Sequence, residues 1–144
     1  MPRRLLPLAA AAVLLTSAAV AVAATPKVGT FVAPKGKIQR GYDLQFKVDK
    51  KGKRITKLVA HVLETCSGSS TSTTTTVGPG LSWTVKDGRF KARKKESSGG
   101  LTLYTTLEGR FTNATTAVGT IRQESIVAGA VCDTYKLKFT AKRR

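Results

Sequence analysis

Hydrophobic and polar residues alternate along most of the chain after residue 37. The clearest run is 38–49, in which one parity is apolar: Ile38, Tyr42, Leu44, Phe46 and Val48. A period of two is typical of a β-strand with one buried face. After a charged, glycine-containing turn at 50–53, a second strand is predicted from about 54 to 66.

The same alternation recurs downstream, and turn residues interrupt it about every ten residues. The further predicted strands cover 81–86, 89–95, 101–111, 117–121 and 135–141, and a Ser/Thr-rich run at 67–76 is expected to be an exposed loop ending in an edge strand. Outside the N-terminal segment, no stretch repeats apolar residues every three to four positions as an amphipathic helix does. The pattern predicts an all-β fold, a single-domain antiparallel β-sandwich or barrel of about 7–8 strands.

An acid–Gly–Arg–Phe element occurs twice, at 87–90 and at 108–111. Asp87-Gly88 separates two alternating runs and predicts a tight hairpin turn, because such turns need positive φ. Gly109 instead lies inside a continuous run, where a glycine indicates a bulge or a close packing contact. The two copies are therefore interpreted as features of a sheet with different geometries, and a shared ligand-binding role is the less favoured alternative.

The N-terminal segment sets the expected compartment. Arg3 and Arg4 precede an apolar run at 5–24 that ends in small residues, a pattern typical of a cleaved secretory signal helix. An uncleaved anchor is the alternative, since about 20 apolar residues can span a membrane. The predicted organisation is a signal peptide at 1–24, a flexible segment at 25–30, a β-domain at 31–141 and a basic tail at 142–144. The mature chain is predicted to be secreted or associated with the cell surface, with no membrane span.

Cys66 and Cys132 are the two cysteines of the chain. In an exported protein an even pair favours a disulfide. A metal site or a catalytic thiol are the alternatives. Either would need further partners, and His61 is the single histidine available.

Basic residues greatly outnumber acidic ones. The chain has 25 Lys and Arg against 8 Asp and Glu, a net charge of +17; removal of Arg3 and Arg4 with the signal peptide leaves +15. The bases cluster in three groups. The group that we single out as a candidate anion-binding site comprises Lys86, Arg89, Lys91, Arg93, Lys94 and Lys95, and the other two groups lie at 50–57 and 136–144. Such a surface attracts an anionic envelope polymer or lipid headgroups. Nucleic acid is disfavoured, because the aromatic residues fall mostly on the apolar parity. A merely solvated surface is the alternative.

No catalytic pattern stands out. The acidic residues are scattered, and phosphate-binding loops, metal-ligand clusters and nucleophile motifs are missing from the sequence. We therefore assign no catalytic residue, metal or cofactor. The predicted function is a secreted, non-catalytic binding domain of the cell envelope. A small exported enzyme, hydrolase-like and with an unrecognised site, is the alternative.

The order of short motifs resembles a group of small secreted proteins from high-GC Gram-positive bacteria that has no assigned function. The motifs are Gly29-Thr30-Phe31, the strand at 38–48 with Gly41, Cys66, Asp87-Gly88-Arg89-Phe90, Gly109-Arg110-Phe111, 117–122, and Cys132 before Phe139-Thr140-Ala141. The resemblance covers nearly all of the mature chain. It implies a secreted β-sandwich with its two cysteines paired, and it transfers no functional residue.

Overall fold

The computed structural model describes residues 23–67, 72–76 and 80–144, so most of the predicted signal segment lies outside the described residues. Within these residues the fold is all-β, as predicted, and no helix is long and apolar enough to cross a membrane. The ten strands are β1 (Gly29–Ala33), β2 (Gly41–Val48), β3 (Arg54–Cys66), β4 (Ser72–Thr76), β5 (Trp83–Thr84), β6 (Arg89–Ser98), β7 (Leu101–Asn113), β8 (Thr116–Val127), β9 (Ala130–Asp133) and β10 (Leu137–Arg143).

Six of the strands close an antiparallel barrel. The order is β10-β1-β2-β3-β9-β8, and pairing of β10 with β8 completes the ring. Strand β8 divides one edge between two partners, because residues 116–121 pair with β10 and residues 124–127 pair with β9. Its other edge carries the hairpin β7–β6 as an extension of the sheet. Strands β4 and β5 pair with β3.

The strands differ in number and limits from the sequence prediction. Two short strands, β1 and β9, raise the count because each carries too few alternating positions to stand out in the sequence. The first predicted strand starts later than expected, at Gly41, because Arg40 has a φ of 44° and interrupts the extended backbone. Strands β1 and β10 extend the sheet from Gly29 to Arg143, two residues beyond each predicted domain limit.

Phenylalanine rings fill the barrel interior. Phe31 stacks on Phe46 with ring centroids 5.4 Å apart, and Phe111 meets Phe31 edge-on at 5.3 Å. Phe90 and Phe139 extend the cluster towards β6 and β10. Burial of these apolar side chains is the main favourable term for the fold. The alternation that predicted the strands therefore also identified the buried face.

A disulfide crosses the barrel wall between β3 and β9. Strands β3 and β9 are held together by the pairs Thr65–Asp133 and Cys66–Cys132, and the two cysteines form the predicted disulfide. Beside it, the Ser125 hydroxyl donates a hydrogen bond of 2.9 Å to the buried Glu64 carboxylate. Because both cysteines of the chain are bonded to each other, this state has no thiol for catalysis or metal binding.

Candidate functional site

The first acid–Gly–Arg–Phe copy forms the predicted hairpin turn. Asp87 and Gly88 have φ values of 49° and 68°, and Lys86 and Arg89 exchange backbone hydrogen bonds of 2.9 and 2.8 Å. Positive φ at both central residues is the geometry of a type I′ turn. The turn starts β6, sends Phe90 into the core and places Arg89 on the outer face.

The second copy produces a close strand approach. Gly109 on β7 lies opposite Gly119 on β8, and the register runs through both without a shift. A Cβ atom on Gly109 would lie 2.4 Å from the Val118 carbonyl oxygen and 2.7 Å from Phe90. A Cβ on Gly119 would lie 2.3 Å from the Glu108 carbonyl oxygen. Of the two predicted roles, the glycine therefore serves close packing rather than a bulge.

The two copies nevertheless meet in space. Strands β6 and β7 pair so that Arg89 lies directly opposite Arg110. Both side chains are exposed on the outer face of the sheet. Like charges directly opposite each other on one face destabilise a sheet. Sequence reasoning missed this pair, because Arg110 stands alone in the sequence and only the strand register reveals its neighbour.

A groove of about 1060 Å³ crosses the outer face of β6, β7, β8 and β10 at this point. Its lining includes the backbone of Gly109 and Gly119, whose side-chain positions face the core. Two acidic residues, Asp87 and Glu108, also line it. We call the six bases that line it the groove bases: Lys86, Arg89, Lys91, Arg110, Lys136 and Lys138. The lining therefore carries a formal charge of +4.

Most of the groove bases are without a carboxylate partner among the described residues. Lys91 pairs with Glu108 at 3.3 Å, where the Lys91 side chain is largely exposed and that of Glu108 about two-fifths exposed. For the other five, the described part of the chain supplies no carboxylate within 4.0 Å. Solvated guanidinium and ammonium groups that converge on an open surface attract anions, and guanidinium groups can bind a phosphate or carboxylate through two hydrogen bonds.

The predicted anion-binding cluster is divided by the fold. Lys86, Arg89 and Lys91 line the groove, whereas Lys94 has the inward parity of β6. Arg93 pairs with Glu124 at 3.0 Å and lies 4.1 Å from the centre of the Tyr104 ring, over which Lys95 also lies at 5.8 Å. The groove instead gains Arg110, Lys136 and Lys138 from other strands. Three of the six bases of the predicted cluster thus line the groove.

A second charged cluster lies next to the groove and is internally neutralised. The Arg122 guanidinium donates hydrogen bonds to both carboxylate oxygens of Asp133, the shortest at 2.6 Å. Burial alone would raise the pKa of Asp133, but the hydrogen bonds from Arg122 and from the Tyr135 backbone, with the guanidinium charge, hold it below its usual value. This ion pair joins β8 to the end of β9, next to the disulfide.

The lowered pKa of Asp133 predicts acid sensitivity. A carboxylate with a depressed folded-state pKa contributes stability that is present above the unfolded pKa of about 4 and is lost as the pH falls through the folded value. We expect the free energy of unfolding, measured by urea titration, to fall below about pH 4, and to fall less steeply in Asp133→Asn. Glu108→Gln, which removes the carboxylate of the Lys91–Glu108 pair, is the matched control for the loss of one acidic side chain. Equal slopes for the parent and Asp133→Asn would contradict this assignment.

His61 does not reach the groove. It lies on the outer face of β3, where its Nδ1 is 2.5 Å from the Asp43 carboxylate on β2, and both side chains are about half exposed. A carboxylate can orient an imidazole for proton transfer, so the enzyme alternative would have to start from this pair. Among the described residues, no group of three or more His, Cys, Asp or Glu is placed to hold a metal ion.

Comparisons with protein-family models, with curated proteins and with solved structures found no match to this chain. The groove therefore has to be interpreted from its own residues.

Proposed function

We propose that this protein binds an anionic polymer of the cell envelope, one with repeated phosphate or carboxylate groups, through the groove bases. The observation that carries the proposal is the Arg89–Arg110 pair, two exposed guanidinium groups opposite each other with no described carboxylate near them. A bound anion between them would relieve their repulsion. Such a cost in the unbound state is typical of functional surfaces rather than of a sheet selected for stability alone.

The shape of the groove favours a polymer over a single small anion. It crosses four adjacent strands. The first and the last of them are three strand spacings apart, a distance of about 14 Å. That width exceeds one phosphate or carboxylate group. The groove is open to solvent and has bases at both β6 and β10, so a chain can lie across it and present successive anions to them.

The same proposal places the protein outside the cytoplasm. A disulfide persists in oxidising compartments, and the basic start and apolar run of residues 1–24 follow the order of a secretory signal. Outside the cell, the abundant polyanions are envelope polymers and lipid headgroups, to which a positive surface is attracted. In this proposal the mature chain is a non-catalytic, envelope-associated module.

Removal of three groove bases should weaken polymer binding selectively. We expect Arg89→Gln/Arg110→Gln/Lys138→Gln to reduce the affinity for a poly(glycerol phosphate) polymer about tenfold or more at physiological salt. The matched control, Lys50→Gln/Lys51→Gln/Lys53→Gln, removes the same charge from the turn between β2 and β3 and should lose much less. Salt-titrated binding of both variants also reports on the contacts, since fewer phosphate contacts give a shallower dependence of log affinity on log salt.

The control decides between a site and a general surface charge. Equal losses in the two triple variants would show that the polymer responds to net charge, and the groove proposal would fail. The same titration with DNA and with anionic and neutral vesicles identifies the preferred source of anions. A polymer that alone remains bound above physiological salt would support a specific module.

A further inference from the structure

The turn between β8 and β9 is apolar where such turns are usually polar. Residues 126–131 read Ile-Val-Ala-Gly-Ala-Val, six positions without a polar side chain. Ile126, Val127 and Val131 are 38%, 46% and 45% exposed. We call these six residues the apolar tip. Exposed apolar side chains are ordinary when scattered, but a contiguous group marks an interaction surface.

The apolar tip forms a two-residue hairpin turn with the strand ends on either side of it. Ile126 pairs with Val131 and Val127 with Ala130, so the turn itself consists of Ala128 and Gly129. Their φ values are 48° and 80°, and the first position of this turn type normally carries Asn, Asp or Gly. An alanine there accepts an unfavourable φ and forgoes a polar group. The turn therefore has an apolar surface at a position where Asn, Asp or Gly would adopt the backbone conformation at lower cost.

Charge identifies the partner. On the outer face, the acids nearest the tip are neutralised within the protein, since Glu124 pairs with Arg93 and Arg122, and Asp133 pairs with Arg122. Glu96, aligned with Ser125 across β7, has the opposite parity and lies beside Gly80. Lys95 on β6 is exposed. It is aligned across β7 with Glu124, which precedes the tip by two residues. The whole chain carries +17. A second positive copy would be repelled, whereas an anionic lipid surface offers both a counter-charge and an apolar layer.

We infer that the apolar tip inserts into the headgroup region of an anionic lipid bilayer. Insertion would cover Ile126, Val127 and Val131, while Lys95 would contact a lipid phosphate. The tip begins six residues along β8 from the groove at Thr120, about 20 Å away. A protein held by its tip therefore leaves the groove free, so this inference is independent of polymer binding and extends beyond it.

A tryptophan reporter tests insertion directly. In Val127→Trp, vesicles that contain phosphatidylglycerol should shift the emission to the blue, and brominated lipids should quench it. Phosphatidylcholine vesicles should do neither. Trp83 is fully buried and adds a constant background that the parent protein measures. Gln45→Trp, on the outer face of β2, is the matched control and should show no shift.

A polar tip separates insertion from simple charge attraction. We expect Ile126→Ser/Val131→Ser to bind anionic vesicles at least fivefold more weakly at physiological salt, with thermal unfolding and polymer affinity close to those of the parent. Unchanged vesicle binding, or a Val127→Trp emission that ignores anionic lipid, would overturn the inference. Concentration-dependent dimers lost on serine substitution would also overturn it, because the tip would then be a self-association surface. The groove variant should retain the Val127→Trp shift, so the two proposals can fail separately.

Discussion

Replacing both Cys66 and Cys132 with alanine should lower the free energy of unfolding by about 4 kcal/mol. The disulfide closes a loop with a sequence separation of 66 residues, and in the chain-entropy account its loss lets the unfolded chain gain conformational freedom. The effect should also be local, since the ladder between β3 and β9 has the two pairs Thr65–Asp133 and Cys66–Cys132 and is continued only by hydrogen bonds between Ser67 and Val131 among the described residues. Urea unfolding of the double variant, compared with the parent, gives the magnitude.

Reduced parent protein is the control that isolates the cross-link. It keeps both side chains, including the buried Cys132, so it should match the double alanine variant within about 1 kcal/mol. Amide hydrogen exchange should then show β9 and the end of β3 losing protection before the β7–β8 pair does. A reduced protein as stable as the oxidised one would contradict the view that the disulfide secures the barrel wall.

Much of this fold could be predicted because burial follows sequence parity. Leu44, Phe46 and Val48 alternate with polar residues, and the same three side chains are buried in the barrel. The hairpin turn could likewise be predicted from adjacent residues, since Asp87-Gly88 has the positive φ values that the dipeptide favours. Both predictions depend on neighbours in sequence, which is the information that a period of two or a turn dipeptide carries.

The features that could not be predicted depend on pairing between distant strands. The sequence does not reveal that β8 divides one edge between β10 and β9, although this division closes the barrel. Nor does it reveal that Arg89 lies opposite Arg110, because the register of β6 against β7 follows from the turn between them and from the packing of Phe90 over Gly109. The sequence therefore indicated a run of bases, three of which line the groove, and not the groove itself.

The glycine pair lies between the groove and the core. Because Gly109 and Gly119 lack side chains, Phe90 and Phe139 can lie over them on the inner face. The pair thus serves the core beneath the groove. The repeated Gly–Arg–Phe letters reflect this arrangement, since each copy sends its phenylalanine inward and its arginine outward.

The largest single-residue effect should come from Trp83→Ala, with an expected loss of about 3–5 kcal/mol in the free energy of unfolding. Trp83 is fully buried on β5, where it pairs with Ile55 of β3. Its indole N–H donates a hydrogen bond of 3.1 Å to the Ala92 carbonyl of β6. Truncation would open a cavity and would leave that carbonyl without its described side-chain donor.

The same residue should affect the groove, because β6 lies at the end of the sheet and, among the described strands, pairs only with β7. Trp83 therefore supports the strand that carries Arg89 and Lys91. In Trp83→Phe the ring remains and the hydrogen bond is lost, so a smaller loss of about 1–3 kcal/mol is expected. Under conditions where both variants stay folded, amide exchange of β6 and polymer affinity should worsen in the order parent, Trp83→Phe, Trp83→Ala. If the amides of β6 kept full protection from hydrogen exchange in Trp83→Ala, the tryptophan would only fill the core. The position of the groove bases on β6 would then depend on the pairing with β7.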